Sequence, residues 1–457
     1  MPSDPLFASM FSTPEMSALV SGRAWLQAML DVEAALARAQ AKAGLVSVAA
    51  AAQIAAACDT SAFDMEAIGR EALTAGNPVL PLVAMLRRAL PPAAADALHR
   101  GPTSQDILDT AAMLISRRAL DAVLAAMARV ESSCVRLAAE HRRTVMPGRT
   151  LLRQAVPITF GLKAAGWLSG CLEAHAALAS YRQHRLAIQL GGAAGTLAAM
   201  GPEGPAVLRS LAHELGLHEP LLPWHTARAR IAELGAALGL ASGAAGKVAL
   251  DLLLLAQDEV GEVTWPAAGT GRSSAMPHKR NPVAAVAAIA CVRRAHALVP
   301  LLFGAMLQEH ERAAGAWQAE WETVSDLFGL THAALSHVAD ALESLQVHPA
   351  AMRANVRAGG GLMMTESAVE ALAARIGPGP ARELVDDAVS RALDSGTTLR
   401  EALLADETVR AQLSVKALDD ALSPDNYLGS AGYFIDRVLA AHAQRDWAGA
   451  APGEGAP

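Results

Sequence analysis

The sequence predicts an all-α protein: three helical regions in series, the middle one a bundle of long helices. Two observations carry this. The 457 residues are 52% hydrophobic but only 4% aromatic, with alanine filling the volume that aromatic rings usually occupy, which suits closely packed helices. Apolar residues also recur at spacings of three and four over long stretches, and no clean two-residue alternation stands out.

The first region, residues 1–112, reads as helices broken at "TAGNPVLP" (74–81) and "PPAA" (91–94). A long helix then runs from about Asp106 to His141, with Leu120, Val123, Leu124, Met127, Val130, Cys134 and Leu137 on one face. It opens the central bundle and oligomerisation core, 113–355. A second such series is Leu234, Leu238, Ala241, Ala245, Val248, Leu252 and Leu255, where Ala241, Ala245 and Gly246 let a neighbour approach closely. The stretch 325–347 offers a further member of the bundle. "VPIT" (156–159) reads as a short strand or an extended entry to a helix. After "RAGGG" (357–361) comes a smaller helical region, 356–447, with a turn at "IGPGPAR" (376–382), and a tail, 448–457, expected to be disordered. No internal repeat is visible.

Charge and cysteine content exclude several classes of function. The formal charge is −7 with no lysine or arginine block, so the electrostatic footprint of a nucleic-acid binder is missing. Cys58, Cys134, Cys171 and Cys291 lie far apart, fitting neither a zinc site nor a disulfide framework, and read as buried thiols in a reducing compartment. The N-terminus lacks the basic start and apolar run of a signal peptide. Leu234–Leu255, the most apolar stretch, is interrupted by Lys247 and Asp251, unlike a span of about 20 apolar residues. The expectation is a cytoplasmic protein without a membrane partner.

Two apparent motifs are set aside. "HELGLH" (213–218) places its histidines five apart, about 140° around a helix, which rules against one metal-binding face. "GGAAG" (191–195) lacks the context of a dinucleotide or phosphate loop; it reads as a tight turn, or as a close backbone approach to a ligand.

Three polar stretches remain. In "HRGPTSQDILDTA" (99–111), Thr103 or Ser104 is placed to cap the long helix, with Asp106 in its favourable first turn. The same helix end offers N–H groups to an anion. "MPGRTLLRQAVPITFG" (146–161) sets Gly148, Arg149, Thr150, Arg153 and Gln154 in the approach to another helix, either as a binding segment or as a solvated basic turn. "GTGRSSAMPHKRNP" (269–282) combines flexible glycines with restraining prolines, the composition of a mobile lid. Its Ser-Ser is a poor base unless cations lower a hydroxyl pKa, and Arg272, Lys279 and Arg280 are nearby. Taking a proton from carbon beside a carboxylate also needs donors for the enolate-like intermediate, a role that suits Lys279 and Asn281. The reading is elimination or addition across a bond next to a carboxylate, on a small polyanionic substrate.

"SSAMPHKRNP" resembles the signature loop of the fumarase/aspartase superfamily, and the two other polar stretches resemble its other characteristic regions in order and spacing. The closer likeness is to the bacterial 3-carboxy-cis,cis-muconate cycloisomerase branch, through "FSTPEM", "RAWLQAMLDVEAALARA", "TSQDILDTA", "PWHTARARIAE" (223–233), "QEHERAAGAWQAEWET" (308–323) and "YLGSAG" (427–432). The resemblance implies three helical domains, a homotetramer whose active sites are each built from three subunits, and lactonisation of the substrate without a cofactor or metal. It assigns catalysis to Ser273, as the acid/base, with Lys279 and Asn281. It gives substrate binding to His99, Thr103, Ser104, Gln105, Arg149 and Thr150; Arg153, Gln154, Arg272, Ser274, Met276, His310 and Arg312 are further binding candidates in the same stretches and in 308–323.

The sequence departs from the superfamily pattern at a few positions. Val286 stands where many members carry glutamate, as this branch allows, which speaks against fumarase and adenylosuccinate lyase. Leu151 stands where a histidine or tryptophan is usual, so a histidine acid/base there is excluded. Arg153 and Arg272 replace smaller or neutral residues; they are either surface arginines or an adaptation to a harder anion such as the sulfonate of 3-sulfomuconate. Two other activities stay open: a lyase releasing fumarate from a succinyl adduct, and a non-catalytic superfamily member.

Overall fold

The computed structural model describes residues 5–266, 271, 276 and 279–444. The chain is all-α, with twenty α-helices and four short strands among the described residues. The elements that carry the argument are α1 (Gly22–Lys42), α2 (Val79–Ala89), α3 (Ser104–Glu140), the strands β1 (Val145–Thr150) and β2 (Arg153–Thr159), then α4 (Phe160–His184), α5 (Ala229–Leu255), α6 (Val283–Gly304) and α7 (Ala316–Glu343). The tail 448–457 lies outside the described residues.

Sequence periodicity and burial agree along the long helices. Of the face expected on α3, Leu120, Val123, Met127, Val130, Cys134 and Leu137 are buried, and Leu124 is partly exposed. Every member of the α5 series from Leu234 to Leu255 is buried. α7 starts earlier than the 325–347 reading and ends at Glu343, because Gln346–Val347 pairs as a short strand with Val263–Thr264.

Two compact units divide the chain differently from its linear order: Met1–Ala128, Glu173–Gly246 and Val286–Val338 form one, and Arg129–Leu172, Lys247–Ala285 and Ala339–Pro457 the other. In the first unit, α5 lays a stripe of glycines against α6. A Cβ on Gly235 would lie 2.7 Å from Leu302, on Gly239 3.1 Å from Val299, and on Gly246 3.0 Å from Val292, while Gly243 faces His296 at 3.5 Å. The ascending series on one helix meets a descending series on the other, so the pair is antiparallel. Gly246 takes the part expected of it toward α6, and Ala241 and Ala245, expected with it, are both fully buried. Both helices are long and apolar enough to cross a membrane by length and composition.

In the second unit, Leu372, Val385, Leu399, Leu403 and Leu418 belong to one core of small helices. The segment 146–161 is not simply an approach to a helix. It is a β-hairpin, with Val145 paired to Thr159 and Thr150 to Arg153, that runs directly into α4. "VPIT" is thus the end of β2. Gly148 sits at an irregularity of the pairing, where a Cβ would lie 2.6 Å from the Val156 carbonyl oxygen.

The start of α4 crosses the end of α3 at backbone distance. A Cβ on Gly161 would stand 2.8 Å from Ala138 O, His141 O and Arg142 Cα. All three are backbone atoms, so no side chain can swing away. Gly161→Ala is expected to cost about 3 kcal/mol, read as a lower urea midpoint at unchanged m-value; an unchanged midpoint would show that the crossing relaxes freely.

The four cysteines are free thiols; Cys134, Cys171 and Cys291 are buried, whereas Cys58 is only partly so. Burial, with Glu33 and Asp31 adding to it, pushes the Cys58 thiol up to about 12.

Candidate active site

The candidate residues fall into two groups, one in each unit. In the first unit the group forms around the start of α3, where Asp106 is fully buried and accepts from four donors. These are the backbone N–H groups of Thr103 (2.9 Å), Gly191 (3.0 Å) and Gly192 (2.8 Å) and the Nε2–H of His225 (2.7 Å). A carboxylate so completely satisfied withstands burial. Asp106 thus ties the residue before the helix, Thr103, to the glycine turn and His225, and takes up none of the N–H groups of the helix's own first turn. The glycines of "GGAAG" do make a close backbone approach, but to Asp106.

The Thr103 hydroxyl accepts from Arg312 Nη1 at 2.6 Å. Burial, the main influence, holds Arg312 below the ordinary arginine range against Asp106 and Asp109. Ser104 is buried. Gln105 donates to the His225 carbonyl (2.9 Å) and to Asp109 (3.1 Å), leaving its own buried Oε1 without a partner. His310 is exposed on left-handed backbone, φ 45°. His99, also left-handed at φ 56°, gives its Nδ1–H to Glu33 at 2.6 Å.

Beneath this group lies an ionic cluster that the sequence reading did not assign. Arg228, 1% exposed, donates from Nη1 and Nη2 to Asp109 at 2.7 and 3.1 Å and from Nε to Glu320 at 3.0 Å. Its guanidinium lies over the Trp224 ring, and Trp317 Nε1–H donates to Asp109 at 3.0 Å. Burial, reinforced by Asp109, raises the Glu320 carboxyl, and Arg228 opposes it.

In the second unit, Arg149 is clamped by the fully buried Glu262, with Nη1 and Nη2 bonded at 2.9 and 2.6 Å. Asn355 donates to the same carboxylate at 2.8 Å. Both terminal nitrogens of Arg149 thus point at a protein anion. Thr150, Arg153 and Gln154 are exposed near the hairpin tip. The tip is Leu151–Leu152, 97% and 82% exposed, both left-handed at φ 50° and 65°. Leucine in that conformation carries strain that glycine or asparagine would not.

Arg272, Ser273 and Ser274 lie outside the described residues. Of the same loop, Met276 and Lys279 are exposed and Asn281 is half-buried. Lys279 N–H donates to Met276 O at 3.0 Å, and Asn281 N–H to Gly271 O at 2.9 Å. Gly271 is left-handed at φ 72°, and a Cβ there would collide with the backbone oxygen of Asn281. Glycine is required because the backbone closes on itself beside Asn281, beyond any need for flexibility.

Among the described residues no group of three or more His, Cys, Asp or Glu side chains is placed to hold a metal ion. A family model described as a lyase matches residues 10–295, well over half the chain. The chain belongs to the fumarase/aspartase superfamily. A second model, described as the adenylosuccinate lyase C-terminus, matches 361–438. Among relatives of this superfamily member, the 3-carboxy-cis,cis-muconate cycloisomerase of Bradyrhizobium diazoefficiens is 44% identical, covering 95% of this chain and 97% of its own. The nitrosuccinate lyase of Streptomyces davaonensis is likewise 44% identical, over 93% of this chain and 92% of its own. The crystal structure of the 3-carboxy-cis,cis-muconate lactonizing enzyme from Pseudomonas putida superposes with a TM-score of 0.91 at 40% identity, covering 96% of this chain and 99% of that one.

Glu33, Asp106, His225, Arg228, Glu262 and Glu320 escaped the sequence reading as functional candidates. Asp106 carried a local signal as a first-turn acid, and Glu33, His225, Arg228 and Glu320 lie in stretches that carry the family likeness, but no residue spacing marked them out singly.

Proposed function

We propose that the chain lactonises 3-carboxy-cis,cis-muconate to 4-carboxymuconolactone without a cofactor, a step in the degradation of protocatechuate. The observation that carries this reading is likeness along nearly the whole chain to cycloisomerases of that substrate, joined to Ser273, Lys279 and Asn281 intact in one loop.

A carboxylate oxygen of the substrate adds to one carbon of a double bond, the π pair moves to the carbon beside another carboxylate, and a proton from Ser273 completes the addition. The trianionic diene takes up one proton and leaves as a dianionic lactone, so solvent must reprotonate Ser273. Lys279 and Asn281 hold the carboxylate that carries the transient charge. His99, Thr103 and Ser104 bind other carboxylate oxygens, Gln105 does so through its backbone N–H because both Nε2 hydrogens are taken, and Thr150 joins them from the second region, where Glu262 holds Arg149. Exposed Leu240, Val286, Leu301 and Phe303 on α5 and α6 supply surfaces for other copies in a homotetramer with shared sites.

A second reading is a lyase releasing fumarate from a 2-substituted succinate, favoured by the equally similar Streptomyces davaonensis relative. A variant of the first, lactonisation of 3-sulfomuconate, draws on Arg153 and Arg272. The deciding measurement is the ultraviolet spectrum of 3-carboxy-cis,cis-muconate mixed with the purified protein, no metal or cofactor added. The diene band is expected to vanish. A persistent band, with fumarate appearing from nitrosuccinate or another succinyl adduct, would replace the first reading by the second.

A further inference from the structure

Glu33 lies on α1 and is 1% exposed. One oxygen accepts the Nδ1–H of His99 at 2.6 Å; the other, Oε2, is buried with no hydrogen-bond partner. A carboxylate in that position contributes poorly to folding, because half of its hydrogen-bonding capacity is unmet. His99 is itself held in left-handed backbone, φ 56°. The segment around it is clamped: Gln40 Nε2 donates to Arg100 O at 2.6 Å, and Arg87 Nη2 to Leu98 O at 3.3 Å. Strain, a short ionic bond and an orphan oxygen therefore converge on one imidazole, whose Nε2 has no hydrogen bond among the described residues.

The charged groups acting on that ring are Glu33 from α1, Asp106 from α3 and Arg87 from α2. Burial, the largest influence, works against the protonated ring, and Arg87 works with it. Glu33 and Asp106 outweigh both, so the ring holds its proton above the ordinary histidine range.

We propose that Glu33 is a positioning residue that holds the His99 ring through its Nδ1–H, so that Nε2–H is offered to an anionic group of the substrate. This rests on the reading that His99 binds a substrate carboxylate. The sign follows from linkage: with the folded value raised, the protonated form and its contribution to stability are fully present below about pH 6.5 and are lost as pH climbs through the raised value. Affinity for the polyanion follows the same course. Removing the Glu33 charge moves that loss toward acid.

The test is KM and kcat for 3-carboxy-cis,cis-muconate from about pH 5.5 to about pH 9, in wild type, Glu33→Gln and Glu33→Asp. Glu33→Gln is expected to raise KM several-fold near pH 7.5 and to move the pH dependence of KM toward acid, with kcat held within about twofold. Glu33→Asp should restore most of the wild-type profile. KM profiles that superimpose for wild type and Glu33→Gln overturn the proposal, as does a variant that loses kcat and KM performance equally at all pH values.

A second measurement depends on neither turnover nor the Glu33 variants. In protein carrying ε1-13C histidine, the NMR titration of His99, assigned by its loss in His99→Asn, should midpoint above the ordinary value of about 6.5. A midpoint at or below that value overturns the proposal even where Glu33→Gln does not fold. If the substrate is not turned over at all, the lactonisation reading fails and this titration still decides the role of Glu33.

Discussion

Arg228→Met is expected to destabilise the protein by about 3–5 kcal/mol at neutral pH, the range for removing one partner of a buried ion pair. The side chain is 1% exposed and is the cation shared by Asp109 and Glu320, both buried. Methionine fills much of the volume but leaves two carboxylates facing each other without a counter-ion. Asp109 keeps the donors Gln105 and Trp317. Glu320 keeps Gln308 Nε2, a longer contact at 3.3 Å. Glu320 is already raised by burial and by Asp109, with Arg228 holding it down. Without Arg228 it rises further. A carboxyl raised in the folded state favours folding below its unfolded pKa and loses that advantage as pH climbs through the folded value. The deficit should therefore shrink as the medium is acidified from neutrality toward about pH 5. Urea unfolding at the two pH values checks both statements; a loss under about 1 kcal/mol at neutral pH would mean that water reaches the pair.

Ser273→Ala is expected to lower kcat by about 10³-fold, within the range for a positioned proton donor, with KM altered little. The hydroxyl is assigned to the proton that ends on carbon, so its removal affects the transition state more than the bound ground state. Two readouts separate this from a folding defect. The diene band should persist in the variant while its thermal melt stays cooperative. Wild type incubated with the lactone in D2O should exchange deuterium at the carbon beside the carboxylate, and the variant should not. If Ser273→Ala keeps a tenth or more of wild-type turnover, another group in the chain delivers the proton.

The helical part of the fold was legible because it is local. α3 was expected over Asp106–His141 and spans Ser104–Glu140, since three-and-four spacing needs only one helix to be visible. The hairpin was not legible. Its turn is Leu151–Leu152 rather than a glycine or asparagine pair, so the usual turn chemistry is missing. β1 contains Pro147 and Gly148 and is buried over Val145–Gly148 without alternation.

Site residues divide in the same way. Lys279 and Asn281 stand out because several polar residues share one loop. Glu33, Glu262 and Glu320 meet His99, Arg149 and Arg228 across 66, 113 and 92 positions of sequence. Glu33, inside an alanine-rich helix, reads as a solvated charge until the fold supplies its partner.

The glycine stripe on α5 also bears on how this protein can vary. Gly235, Gly239 and Gly246 specify the seam by having no side chain, with Leu302, Val299 and Val292 occupying the space. Every single-nucleotide change in a glycine codon that alters the residue adds atoms, so these positions drift in one direction only, toward a wider gap between two helices. The opposite change, trimming Leu302, Val299 or Val292, leaves room instead. Enlarging one side of the seam is best accommodated by shrinking the other, so substitutions on the two helices are expected to be energetically coupled.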